Sequence, residues 1–168
     1  MASMTYAGNC FDKCMHYFFG SMLYYPEGQT KAILVLGRNG DNGKSALALM
    51  ITKLLEHEHV TKKNIEDITS ASDRGKNTRV GLVNSMVNIT MDAPRSKIED
   101  MFKGMVEGEA VQIRELYAKE QEVELRTHYL INANTLPGTW GETLPLIKRL
   151  LVTKVFRKIA PKDIILNI

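Results

Sequence analysis

The stretch Ile33-Leu34-Val35-Leu36-Gly37-Arg38-Asn39-Gly40-Asp41-Asn42-Gly43-Lys44-Ser45 constrains what this chain can fold into more than any other. Four apolar residues read as a buried strand, and a loop holding three glycines follows. Ala46-Leu47-Ala48-Leu49-Met50-Ile51 then reads as a helix. Strand, glycine-rich loop, Lys-Ser and helix in that order are the parts of a P-loop. Glycines let backbone N–H groups turn inward onto phosphate oxygens, and the helix N-terminus adds its partial positive charge. Lys44 suits the β- and γ-phosphates, and the Ser45 hydroxyl suits Mg²⁺. Arg38, Asn39, Gly40, Asp41, Asn42, Gly43, Lys44, Ser45 and Ala46 are therefore the candidate phosphate-binding residues. Arg38 stands where the usual spacing has its first glycine, with Gly37 one place early. A chance glycine-rich turn is the alternative, and the intact Gly43-Lys44-Ser45 between a strand and a helix weighs against it. The motif implies a nucleoside triphosphate as ligand.

The chain has 168 residues, enough for one domain with a real core. Its 44% hydrophobic and 24% charged residues are ordinary for a globular chain, and a net charge of +3 permits nucleic acid without arguing for it. No apolar run approaches membrane-spanning length and no signal peptide is evident; the cysteines, read as reduced thiols, favour an intracellular location, in cytoplasm or nucleus. Met1-Ala2-Ser3-Met4-Thr5 resembles a vector leader, leaving 6–168 as the expected domain. Cys10 and Cys14, four apart on one helical face, are expected as reduced core thiols.

From Cys10 to Tyr25 the apolar residues recur at helical spacing, predicting an amphipathic helix over 10–25 packed on a nucleotide-binding core over 31–155. The helix after the loop is expected from about Lys44 to Glu56. His57 to Lys63 reads as a polar connection. Ser70 to Asn77 is loop-like, with Arg79 to Val83 as the end of a short helix. Met86 to Asp92 is β-prone and ends in an acid. Lys97 to Val106 is helical. Val111 to Leu116 and Val123 to Thr127 alternate with period two around a charged tip, which predicts a β-hairpin. Its second arm runs on into a buried strand, His128 to Asn134. The alternation of strands and helices predicts an α/β sandwich.

Hydrolysis needs a carboxylate on a neighbouring strand to hold the Mg²⁺ shell and orient water. Asp92 stands where such an acid belongs, so Ser45 and Asp92 are the candidate metal ligands. Asn134 suits an amide aimed at the γ-phosphate or the attacking water.

Gly40-Asp41-Asn42-Gly43-Lys44-Ser45, the strand ending in Asp92, Lys103 through Gly108-Glu109 to Arg114-Glu115-Leu116-Tyr117, and Ile131-Asn132-Ala133-Asn134-Thr135-Leu136-Pro137 occur in this order. Together they resemble the ATPase domain of superfamily three helicases, in particular the primase–helicases of satellite phages, plasmids and poxvirus-like large DNA viruses. That resemblance implies an AAA+ type P-loop fold, a mainly parallel sheet flanked by helices with a β-hairpin before the sensor strand. It also implies ATP bound between subunits of a ring, usually a hexamer. By position, Lys44 and Ser45 would be Walker A, Asp92 would stand in for the family's Glu as the Walker B acid, and Asn134 would be the sensor. Lys148-Arg149-Leu150 matches the cluster carrying the arginine finger, so Arg149 is the candidate finger and Arg157 the reserve. The family's hairpin enters the ring channel, which makes Lys119 and Tyr117 the candidate contacts to single-stranded or forked DNA. Since the family usually carries further domains, an excised domain or a reduced relative is expected. The function implied is an ATP-driven DNA helicase or translocase in replication of a virus or mobile element. A nucleotide-switched assembly or packaging module is the alternative. A small-molecule kinase is a third, for which the chain lacks an arginine-rich lid.

Overall fold

A computed structural model describes residues 11–24, 31–38, 42–93, 100–136 and 144–155. The expected leader, Cys10, Tyr25, Asn39, Gly40, Asp41 and Arg157 lie outside these residues. Five strands form an all-parallel sheet: β1 (Ala32–Leu36), β2 (Val60–Thr61), β3 (Val87–Thr90), β6 (His128–Ala133) and β7 (Leu150–Lys154), in the order β2-β3-β6-β1-β7. A separate antiparallel pair joins β4 (Ala110–Ile113) to β5 (Gln121–Glu124), the expected hairpin. Every residue of β1 and β6 is buried. Both faces of a parallel sheet are covered, so its central strands are apolar runs rather than alternating ones. Each fully buried Ile or Leu there contributes on the order of 1.5–3 kcal/mol of transfer free energy.

Each face of the sheet carries its own core. On one face lie α1 (Phe11–Tyr24) and α2 (Lys44–Leu55), whose Phe18, Met22, Leu47 and Ile51 pack on Ile33, Val35, Ile89 and Leu130. On the other lie α3 (Ile65–Thr69), α4 (Asp73–Val80), α5 (Asp100–Glu107) and α6 (Leu144–Lys148). There Ile68, Phe102, Met105 and Leu146 pack on Leu34, Tyr129 and Ile131. The result is a three-layer α/β sandwich with a parallel sheet in the middle. Among the described residues no helix is long and apolar enough to cross a membrane.

Three local expectations are corrected. Residues 73–77 belong to α4 rather than to a loop, and the chain is in turns from Gly81. The helix has no apolar stripe for periodicity to detect; it starts on Ser72, whose hydroxyl accepts from the Gly75 N–H at 3.3 Å, and is held by a buried Arg79. The polar connection over 57–63 contains the 3₁₀ turn His57–His59 and the short edge strand β2, which pairs Val60 with Val87. The second hairpin arm does not continue as one strand: Leu125 to Thr127 separate β5 from β6, which join different sheets.

Candidate active site

With all five strands parallel, the ends of β1, β3, β6 and β7 meet at one edge of the sheet. The chain leaves β1 across one face toward β2, whereas the connection from β6 crosses the other way to β7. Parallel α/β sheets open a crevice where successive connections part like this. The backbone closes around that edge. Gly37 N–H donates to Ala133 O at 2.9 Å, Val155 N–H to Leu36 O at 2.7 Å, and Ala93 N–H to Asn132 O at 2.8 Å.

The glycine-rich loop leaves β1 here and returns as α2. Gly43, just before the helix, has φ 87°, a left-handed conformation that glycine adopts without cost. Gly37 is required for a different reason. A Cβ there would stand 2.1 Å from Asn42 Nδ2 and 2.7 Å from Val155 O. The glycine one place early therefore makes room for Asn42, which is buried and donates to Val155 O at 3.3 Å. Arg38 is exposed at the start of the loop.

Lys44 folds back into this loop. Its Nζ donates to Gly37 O at 2.8 Å and to Asn42 Oδ1 at 3.0 Å. Loss of water lowers its pKa from the ordinary lysine value, and the charge of Asp92 opposes that shift. Lys44 and Asp92 are thus in electrostatic reach of each other although they lie 48 positions apart in the chain. Ser45 and Ala46 are exposed on the first turn of α2. Asp92 is exposed two residues beyond β3, and Asn134 is exposed one residue beyond β6 at the same edge. An ammonium ion held by neutral oxygens beside the start of a helix suits an arriving polyanion.

Three predicted residues lie elsewhere. Arg149 precedes β7 and accepts through its carbonyl from Ala32 N–H, so it sits at the opposite end of the sheet from Lys44. Its guanidinium pairs with Glu107 at 2.5 Å. Lys119 and Tyr117 are exposed at the hairpin tip, where Ala118 N–H closes a turn on Glu115 O at 3.1 Å. Tyr117 holds φ 65° there with its side chain fully exposed.

Asn132 was not anticipated. It is 1% exposed, in register with Val35 of β1, and on the same side of β6 as Asn134 by the strand's period of two. Its Nδ2 makes only a 3.9 Å contact to Met91 Sδ, and its Oδ1 has no hydrogen-bond partner among the described residues. A lone amide within Tyr129-Leu130-Ile131-Asn132-Ala133 was the available signal. Among the described residues no three His, Cys, Asp or Glu side chains gather as a metal site, so a cation here would depend on Ser45, Asp92 and its other ligand's oxygens.

A parallel sheet with a glycine-rich loop and Lys44 at its switch point is an α/β arrangement that solved structures share. The NrS-1 C-terminal region superposes with a TM-score of 0.66 over 92% of this chain at 16% identity, and a second structure of that region gives 0.62 over 89% at 16%. JCV helicase, solved with a small acetamide compound bound, gives 0.55 over 86% at 10% identity. This chain spans 35% and 36% of the two NrS-1 chains and 40% of the JCV helicase chain. A family model matches residues 35–148, and the chain belongs to that family, described as "Family of unknown function (DUF5906)". No curated protein matches it.

Proposed function

We propose that this chain is the ATPase module of a nucleic-acid motor of the superfamily three helicase type, with an AAA+ P-loop fold. The observation that carries the reading is Lys44 cradled by Gly37 O and Asn42 Oδ1, in reach of Asp92, at the edge where β1, β3 and β6 end. In this reading the amides of residues 38–46 and the Lys44 ammonium hold the ATP phosphates. Arrival of the polyanion gives the partly dehydrated lysine a partner stronger than two carbonyls. Ser45 and Asp92 would hold Mg²⁺, which when bound neutralises charge on the β- and γ-phosphates. Asp92 orients or deprotonates the attacking water. Asn134 senses the γ-phosphate, with Asn132 steadying the strand end behind it.

Arg149 lies far from this chain's own loop, which suits a finger only if it serves a neighbouring subunit in a ring, hexameric by the family's habit. To do so it would exchange Glu107 for phosphate. Lys119 and Tyr117 at the hairpin tip would meet single-stranded or forked DNA by charge and by stacking. The structural likeness to JCV helicase supports the motor reading at the level of fold.

The decisive measurement is ATP turnover with and without single-stranded DNA over a range of protein concentrations. Stimulation by DNA with cooperative dependence on protein is expected, and Lys44→Ala should lower ATP binding at least ~100-fold, the scale of losing several charge-assisted contacts. Turnover indifferent to DNA and constant per molecule would remove the motor and leave a nucleotide-switched assembly module.

A further inference from the structure

The hairpin cannot hold itself in place. Two antiparallel strands alone are marginal in water and need a helix or a third strand to fix them. Val111 and Ile113 anchor the base by burial, but residues 114–120 project past that anchor. Helix α4 holds the rest. Arg79, 1% exposed, donates through Nε to Gln112 O of β4 at 2.8 Å. Its Nη1 donates to Ile68 O at 2.8 Å and to Ser70 O at 2.9 Å, with Met101 Sδ at 3.4 Å. One guanidinium thus ties α3, the turn before α4, α5 and β4 together.

Arg79 is an expensive way to fill that space. Burial lowers its pKa from the ordinary arginine value, and its hydrogen-bond acceptors among the described residues are three carbonyls and a thioether, none a carboxylate. A buried cation whose hydrogen bonds all go to neutral acceptors is less favourable than an apolar side chain of the same volume, unless its directed hydrogen bonds are what is needed. The outer hairpin is held differently, by partly exposed polar contacts to the preceding turns of α4. Lys76 Nζ meets Glu120 at 2.7 Å, Arg114 meets Asp73 at 3.3 Å, and Asn77 Nδ2 donates to Arg114 O at 3.3 Å. Surface ion pairs of this kind are weak and screened by salt. Helix α4 therefore grips the hairpin twice, rigidly at the base and reversibly toward the tip.

We propose that Arg79 is a positioning residue: through α4 it sets where the hairpin tip, with exposed Leu116, Tyr117 and Lys119, stands relative to the sheet. That the tip meets nucleic acid rests on the function proposed above; the positioning itself does not. The test is amide hydrogen exchange on the whole chain, comparing residues 110–124 with β1 and α2. Arg79→Met keeps the volume and removes the directed bonds, and exchange in the hairpin should rise at least ~10-fold while β1 and α2 stay within ~2-fold. Arg79→Lys should fall between the two, since one ammonium cannot span the three carbonyls. Unchanged hairpin exchange, or equal acceleration throughout the chain, would overturn the proposal. Should Arg79→Met fail to fold, the outer grip supplies the test. Lys76→Glu and Glu120→Lys singly should speed exchange near the tip, and the double reversal should restore it; no restoration counts against α4 as the holder. Ultraviolet crosslinking of a single-stranded oligonucleotide to the unmodified chain separates the two ideas. A hairpin that loosens in Arg79→Met but never crosslinks keeps the positioning role and refutes the nucleic-acid reading.

Discussion

Lys44 is recognisable in the sequence because Gly-Lys-Ser after an apolar run has few other uses; its partners are not. Its two acceptors come from Gly37, seven residues back, and from Asn42. Asn42 in turn reaches Val155, 113 residues away. Gly37 is therefore a packing glycine, and Arg38, at the usual glycine position, is exposed. Gly37→Ala should displace Asn42 and push on Val155 O, since its Cβ would stand 2.1 Å and 2.7 Å from them. Overpacking of this kind costs about 1–3 kcal/mol, read as a lowered urea midpoint. A midpoint equal to that of the unaltered chain would mean that the end of β7 yields freely.

At the scale of elements, β6 carries the most unusual load. It is the buried strand between β3 and β1, yet it includes His128, Tyr129 and Asn132, each with a polar atom lacking a partner among the described residues. Burial moves the Tyr129 hydroxyl upward and the His128 imidazole down to about 4. His128 lies edge-on to Phe18 of α1, so it is packed as a neutral ring. The unfolded chain takes up a proton there near pH 6.5, whereas the folded chain resists until about 4. Stability is thus fully present above pH 6.5 and is lost as pH falls toward 4, by up to about 3 kcal/mol. The loss should largely vanish in His128→Leu, and the difference between the two chains' urea midpoints at pH 7 and pH 4.5 measures it. Equal slopes would show that His128 does not titrate differently on folding.

For the whole molecule, the distribution of charges matters more than their sum. Lys44 and Asp92 share one end of the sheet, Arg149 stands at the other, and the hairpin projects from the side under the grip of α4. A chain arranged so cannot bring Arg149 to its own loop, which at roughly 3.3 Å per residue lies about a strand length away. On the function proposed above, Arg149→Ala should spare ATP binding and abolish hydrolysis, with the effect seen only where sedimentation with ATP and DNA shows assembly. Hydrolysis retained by that variant would move the finger to another residue. Loss of stability alone would assign Arg149 to its pairing with Glu107.

Strand β1, the loop and α2 were legible in the residues themselves, because backbone conformation over a dozen positions depends on local apolar runs and glycines. The hairpin was legible for the same reason, through its period-two alternation around a charged tip. Helix α4 and strand β2 were not: one lacks an apolar face and the other is two residues long, so neither leaves a periodic trace. The burial of Arg79 and of Asn132, the role of Gly37, and the separation of Arg149 from Lys44 were decided only in three dimensions. Each depends on carbonyls, strands or charges far away in the chain, and no local pattern records which distant groups will close around a side chain.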